Sequence, residues 1–423
     1  MKLQETFVAS CIAAVALSIA AAPYVDQDDV VLSQNRGSRL VSVKYTLRGD
    51  PGVVTVDFQT NAAENAWLSI GAENFKNVQG EVNKLVRDLD VQHEITWQPR
   101  GSWPDHVIRG GKFRAVVTAW ATNSPPDYMV IDLLKSKGDV SYYVSTNAMP
   151  YLITDGYCKT NSLVMRRVHA AHVRWLMGSP ESEVATRHTS ETRHYVTLSA
   201  DYYLGVYEFT KGQFFRCCGT FSGSGYAKSG GINGLEAGDP RHPVEYISMA
   251  NFRGTGWPNS GHAVTSGKTL DKVRKYIVDY EIDIPTEAQW EYACRAGTST
   301  ALYDGSAYSE TTAHSLGTTS RSYVGSKAPN TWGFYDMYGN MSELCLDRVT
   351  TDPFGNWHVC NPIGLSGSDS YKGIWRGGNF YNKSSGANSG TKGAFRSAAR
   401  TEINVGASKI RGFRLCCPAT AIR

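Results

Sequence analysis

The chain has 423 residues, of which 41% are hydrophobic and 19% charged, and its formal net charge is +4. This length exceeds one ordinary domain and predicts two or three. The composition excludes a disordered chain and a multi-span membrane protein, and the small, mixed charge gives no indication of a nucleic-acid partner. Forty-one Gly, 23 Tyr and 10 Trp favour a turn-rich protein with much sheet.

Residues 1–22 carry the pattern of an export signal. Lys2 precedes an apolar run from Phe7 to Ile19, and small residues follow this run. The run is too short to span a bilayer. We therefore expect a signal peptide over 1–22, no transmembrane segment in the mature chain, and a secreted, periplasmic or cell-surface location.

Eight cysteines remain once Cys11 is removed with the signal peptide, and this even number permits disulfides in an exported protein. Their spacing does not reveal the pairing, and it does not match a structural zinc site. Cys416 and Cys417 are adjacent. In an extended chain their side chains would point to opposite faces and meet different partners.

Residues 38–148 have a hydrophobic period of two. The stretches Val41–Leu47 and Phe113–Ala119 alternate, and further apolar runs lie at 130–133 and 140–144. Short strands separated by Gly, Asp, Pro and Asn predict an all-β sandwich, immunoglobulin-like in the broad sense. No residue pattern in this module points to catalysis, so we expect it to be a spacer or docking module.

Short helices are predicted in the second half of the chain by their first residues. Thr210 with Gln213, and Thr286 with Gln289, have the spacing of capping boxes, in which each partner bonds the other's backbone amide. Ser248 is a third candidate for an N-cap. Long loops rich in Gly, Trp and Asn connect these helices.

Seven sequence phrases carry a family resemblance. They are MGSPESE (177–183), YEFTKGQF (207–214), PVEYISMANF (243–252), IPTEAQWEYACRAG (284–297), PNTWGFYDMYGNMSELCLD (329–347), WRGGNF (375–380) and RGFRLCC (411–417). In this order they resemble the sulfatase-modifying-factor family, which includes the formylglycine-generating enzyme, over about residues 164–420. The resemblance implies a C-terminal α+β, loop-rich domain with a C-type-lectin-like fold.

The family enzyme oxidises a substrate cysteine with oxygen, using two thiolates that hold Cu(I). The resemblance places these thiols at Asn382 and near Ala387, the family's serine at Asn379 and its tryptophan at Ser342. The stretch from Asn379 to Ala387 contains no sulfur. Because Cu(I) prefers soft ligands, amides and hydroxyls do not replace the thiolates. We therefore expect no catalytic residues and no bound copper.

The resemblance also implies a calcium ion. In the family a loop of this pattern binds calcium, and the matching positions are Asp336, Gly339, Met341 and Glu343. Two carboxylates and two backbone carbonyls would supply the hard oxygen ligands that Ca²⁺ prefers, so we expect a structural calcium that holds a long loop. The alternative is a tight turn in which the two carboxylates accept hydrogen bonds from backbone amides.

Two classes of function stay open. The first is a non-catalytic binding or scaffold protein, a pseudoenzyme whose partner is a protein or a carbohydrate. Its ligand-cleft candidates are Asn379, Tyr381, Asn382 and Ser342. Relatives with this fold include retroelement-diversified binding proteins, whose variable stretch lies between RGG and GFR. The second class is a formylglycine-generating oxidase with a divergent site, acting on a cysteine in sulfatases.

Overall fold

The computed structural model describes residues 21–63, 66–106, 112–135, 139–183, 187, 189–219, 239–254, 263–305, 321–348, 358–363, 372–381, 392–404 and 408–419. Over these residues the chain forms mostly short strands with five α-helices. None of these helices is both long and apolar enough to cross a membrane.

The strands of the N-terminal region are β1 (Tyr24–Val25), β2 (Val31–Gln34), β3 (Val41–Arg48), β4 (Gly52–Ala63), β5 (Ala66–Ser69), β6 (Gln79–Gly80), β7 (Lys84–Val86), β8 (Gln92–Trp97) and β9 (Phe113–Ala121). They form two antiparallel sheets, ordered β1-β3-β8-β6 with β2 beside β3, and β5-β4-β7 with β9 beside β4. One hydrophobic core takes residues from both sheets, and Phe58 stacks on Trp97 with 4.6 Å between ring centroids. The alternation predicted for β3 is confirmed, because every second residue from Val41 to Leu47 is buried.

The remaining strands are β10 (Tyr128–Asp132), β11 (Asp139–Tyr143), β12 (Ser162–Val168), β13 (Arg174–Met177), β14 (His194–Thr197), β15 (Tyr202–Gly205), β16 (Ser342–Arg348), β17 (Val359–Cys360), β18 (Lys372–Arg376), β19 (Arg400–Asn404), β20 (Arg411–Gly412) and β21 (Cys416–Pro418). The helices are α1 (Gly156–Thr160), α2 (Lys211–Cys218), α3 (Met249–Phe252), α4 (Thr269–Tyr276) and α5 (Glu287–Arg295).

Strands β10 and β11 join the C-terminal region, whereas their sequence pattern grouped them with the N-terminal strands. The sheet order is β11-β10-β12-β15-β21. Met129 and Ile131 are buried in the same core as Leu163 and Met165 of β12. The pattern of a strand gives its faces but not its neighbour in the sheet, so the sequence placed β10 and β11 with the strands that precede them in the chain.

The predicted capping boxes are confirmed. At α2, Gln213 N donates to Thr210 Oγ1 over 3.2 Å and Thr210 N donates to Gln213 Oε1 over 3.0 Å. Thr286 and Gln289 make the same two bonds at α5, and the Ser248 side chain caps α3. These bonds use amides that a short helix would otherwise leave without partners.

The side chains of the two adjacent cysteines in β21 meet different partners, as predicted. Cys416 belongs to a core with Trp290, and Cys417 belongs to another core with Phe413. The eight cysteines beyond the first 20 residues are all free thiols. The even count permitted disulfides, but neighbours on one strand that enter different cores do not pair with each other.

A four-stranded sheet, ordered β19-β18-β16-β20, positions the site that the family resemblance predicts. Strands β16 and β18 are antiparallel, and Glu343 lies opposite Arg376. The start of β16 therefore lies beside the end of β18. Ser342 opens β16, and Asn379 follows β18, so these two family positions are brought together by the sheet register.

Candidate functional site

Ser342 and Asn379 contact each other directly. Asn379 Nδ2 donates to Ser342 Oγ over 3.0 Å, and Ser342 Oγ donates to the Gly378 carbonyl over 3.1 Å. The exposed fraction of each residue is 7%. Gly377 and Gly378 both have positive φ, and a Cβ on Gly378 would lie 3.0 Å from the Phe395 ring. The two glycines thus let the chain turn closely enough for Asn379 to reach Ser342.

The side-chain oxygen of Asn379 makes a second contact, which stabilises the next turn. Its Oδ1 accepts from Tyr381 N over 3.0 Å, which is the geometry of an Asx turn. Tyr381 is 56% exposed, and Lys409 Nζ lies 5.3 Å from its ring centroid. Of the four ligand-cleft candidates, Ser342 and Asn379 are therefore buried against each other, and Tyr381 is exposed. Asn382, like the thiol position near Ala387, lies outside the described residues.

Most of the thiols lie in the interior of the protein. Burial raises the pKa of seven of them, namely Cys158, Cys217, Cys218, Cys294, Cys345, Cys416 and Cys417. For Cys158 the raised pKa is about 11, and for Cys294 it is about 12. Burial thus favours the protonated thiol over the more reactive thiolate at these seven positions. Cys360 is the exposed member of the eight.

The predicted calcium positions lie in a compact turn before β16. Asp336 and Gly339 both have positive φ, of 57° and 88°. Asp336 Oδ2 accepts from Gly325 N over 2.6 Å, and Gly339 N donates to the Gly377 carbonyl over 2.7 Å. The turn is thereby joined to two other segments of the chain.

Glu343 is held by an arginine. Arg414 Nε and Nη2 donate to its two carboxylate oxygens over 2.6 Å each, and Trp290 Nε1 donates to Oε2 over 2.8 Å. Arg414 and Glu343 are both fully buried. This two-point geometry is the strongest form of an arginine–carboxylate pair.

Glu208 is a third buried carboxylate at this turn. Its oxygens accept from Met341 N over 2.8 Å and from Asn340 Nδ2 over 2.6 Å. Burial raises the pKa of Glu208, and the charges of Asp336 and Glu343 raise it further. Sequence reasoning missed this residue because it lies 133 positions from Met341. The available signal was its place inside the phrase YEFTKGQF, which the family resemblance includes.

The turn offers the oxygen donors that a hard cation prefers. Glu208, Asp336 and Glu343 lie near the Arg414 guanidinium, and the buried Lys159 ammonium interacts with Asp336. A carboxylate has about four lone-pair sites, and Glu343 uses three of them. Across the described residues, no group of three His, Cys, Asp or Glu side chains is placed to hold a metal ion. The calcium site implied by the family resemblance would need only two carboxylates, because backbone carbonyls supply the other ligands.

Comparison with known proteins places these features in a family. Residues 165–418 match the family described as sulfatase-modifying factor enzyme 1-like domain. The chain is 30% identical over 168 residues to serine/threonine-protein kinase pkn1 of Chlamydia pneumoniae. This aligned region covers 36% of the chain. The chain spans 24% of the length of that curated relative.

Three solved structures are similar to this chain. Treponema denticola variable protein 1 has a TM-score of 0.43 and 20% identity, covering 60% of this chain and 95% of its own. PvdO from Pseudomonas aeruginosa has a TM-score of 0.46 and 21% identity, covering 60% and 94%. CarF has a TM-score of 0.34 and 18% identity, covering 70% and 98%. Because the family match spans more than half of the chain, the protein belongs to the sulfatase-modifying-factor family.

Proposed function

We propose that this protein is an exported, non-catalytic binding or scaffold member of its family. The main support for this proposal is the hydrogen bond between Asn379 and Ser342, which occupy the positions that border the copper thiols in the family enzyme. Here an amide and a hydroxyl satisfy each other at these positions. The export signal expected over residues 1–22 supports an extracytoplasmic role.

Loss of the metal thiols supports the same conclusion. The sequence has no cysteine between Cys360 and Cys416, so the segment that follows β18 has no soft ligand in any register. Cys416 and Cys417 enter different cores and have raised pKa values because they are buried. A divergent copper site would therefore require thiols that enter different hydrophobic cores.

The surface that remains for binding starts at Tyr381. An exposed tyrosine ring beside the Lys409 ammonium offers stacking, hydrogen bonding and charge, which serve a protein partner or a carbohydrate. The C-type-lectin-like fold would display this loop, and the N-terminal immunoglobulin-like sandwich would act as a spacer or docking module. The alternative function, a formylglycine-generating oxidase, is favoured by the family phrases alone.

A Cu(I) titration tests this proposal. Under reducing conditions, we expect the purified protein to withdraw no Cu(I) from a coloured chelator, because the residues that the structure describes include no exposed pair of thiols. A formylglycine-generating enzyme that retains both cysteines serves as the positive control. Withdrawal of one Cu(I) per chain by the wild type, retained after Cys360→Ser, would contradict the proposal, since the buried thiols would then be the ligands.

We also propose a structural calcium ion in the turn before β16. Asp336 and Glu343 would supply carboxylate oxygens, and Gly339 and Met341 would supply carbonyls. The support is that Asp336 and Glu343 offer carboxylate oxygens, the hard donors that Ca²⁺ prefers, at one turn of the chain. The ion would hold the loop in place.

Calcium is expected to raise the thermal stability of the protein, and EDTA to lower it. At a free calcium concentration about 100 times Kd, the free energy of unfolding should rise by about 2.7 kcal/mol. Asp336→Ala should abolish the response, whereas Asp90→Ala should retain it. Asp90 is a matched control, because it is exposed and has the same positive φ of 57°. If the melting temperature of the wild type did not change with calcium or EDTA, the proposed calcium site would be wrong.

A further inference from the structure

A cavity of about 300 Å³ lies where the N-terminal sheets meet the segment after β11. Its lining includes the polar residues Thr55, Asp57 and Ser69 and the apolar residues Phe75, Val144 and Ala148. Ser69 and Val144 are exposed and form part of the rim. Binding sites for small ligands occur preferentially at such junctions, and this volume lies at the small end of their range.

The alternation of β4 explains why Thr55 and Asp57 share one face of the sheet. Val54 and Phe58 point into the N-terminal core, so Thr55 and Asp57 point to the opposite face of the sheet. At Val53 this opposite face packs into the core of the C-terminal region. Further along the strand the same face is polar at Thr55 and Asp57, and the cavity lies beside the contact between residues 72–74 and 146–148.

Asp57 is a carboxylate with acceptor capacity left over. Ser69 Oγ donates to Oδ1 over 2.6 Å, and Gln59 Nε2 donates to Oδ2 over 2.9 Å. Arg114 bonds the other end of the Gln59 amide, so that amide separates the guanidinium from the carboxylate. Asp57 thus contacts neutral donors, and a carboxylate can accept about four hydrogen bonds.

The rest of the lining is mainly apolar. Phe75 provides an aromatic wall, and Val144 and Ala148 provide aliphatic ones. A negative acceptor in an apolar cavity selects a ligand with a positive donor and a hydrocarbon body. We propose that the cavity binds a small organic cation, whose ammonium group donates to Asp57 and whose short apolar body packs against Phe75.

Calorimetry on the full chain with three probes tests this assignment. The probes are n-butylammonium, n-butanol and methyl glucoside. n-Butylammonium is expected to bind about tenfold more tightly than n-butanol, because a charged hydrogen bond replaces a neutral one. Equal affinity for these two probes, tighter binding of methyl glucoside, or no binding of any probe would overturn the proposal.

Two variants and a control locate the site. Asp57→Asn should reduce n-butylammonium affinity about tenfold and leave n-butanol unchanged, because it removes charge and keeps shape. Ala148→Phe should abolish binding of both probes by filling the cavity. Asp88→Asn, which changes an exposed carboxylate outside the cavity, should change neither. If Asp57→Asn bound n-butylammonium as the wild type does, the assignment of Asp57 would be wrong.

Discussion

Replacing Arg414 by methionine is expected to lower the free energy of unfolding by about 3–5 kcal/mol. The arginine is fully buried, and it donates to both Glu343 oxygens and to the carbonyls of Gly205 and Tyr335. Its removal leaves the Glu343 charge buried without its cation, beside two further carboxylates. Urea unfolding at neutral pH in EDTA measures the effect without compensation by a divalent ion.

Arg411→Met is the matched control for this experiment. The Arg411 guanidinium lies 4.9 Å from the Trp375 ring centroid, and the residue is partly exposed. Losing a cation–π contact at a partly exposed site costs about 0.5–2 kcal/mol. If Arg414→Met were no more destabilising than Arg411→Met, the buried pair would not have the structural role assigned to it.

Replacing Glu291 by glutamine is expected to cost a similar amount at pH 7, about 3–5 kcal/mol. Its Oε1 accepts from Gly178 N over 2.9 Å and from Arg295 Nε over 2.8 Å, and its Oε2 accepts from Arg376. All three side chains in this group are buried. The glutamine would leave two buried guanidinium groups without their shared carboxylate.

The pH dependence of this variant has a definite sign. Burial alone would raise the pKa of Glu291, but the charges of Arg295 and Arg376 outweigh burial and lower it. A lowered carboxyl pKa stabilises the fold above the unfolded value of about 4.3, and this contribution is lost as pH falls through the folded value. The stability difference between wild type and Glu291→Gln should therefore narrow on acidification below about pH 4.

Urea unfolding at several pH values checks this expectation, with Glu73→Gln as control. Glu73 is exposed, so its substitution should have little effect at any pH. A stability difference for Glu291→Gln that stays constant from neutral to acid pH would show that the Glu291 charge does not contribute through its arginines.

Local features of the fold could be predicted from the sequence because they depend on neighbouring residues. The capping boxes at Thr210 and Thr286 need partners three positions away, and the alternation of β3 is complete within one strand. The sheet to which β10 belongs depends instead on Leu163 and Met165, more than 30 positions later. No periodicity within β10 encodes that choice.

In the candidate site, too, the sequence located individual residues but not the contacts between them. The family phrases located Ser342 and Asn379, but their hydrogen bond depends on the antiparallel register of β16 and β18. The phrases also located Glu343, whereas its pairing with Arg414 and the nearby Glu208 joins segments that are far apart in the chain. Motifs thus identified the positions, and tertiary contacts decide which of them remain free to act.

Mass spectrometry of a substrate peptide shows whether this protein oxidises a cysteine. The full chain is incubated with copper, oxygen, a reductant and a cysteine peptide of the type that formylglycine-generating enzymes oxidise, with such an enzyme as positive control. Because the sequence has no cysteine between Cys360 and Cys416, where the family enzyme carries its thiols, we expect the peptide mass to stay unchanged with this protein and to shift to the aldehyde with the control enzyme. Aldehyde formation by the wild-type protein would contradict the account.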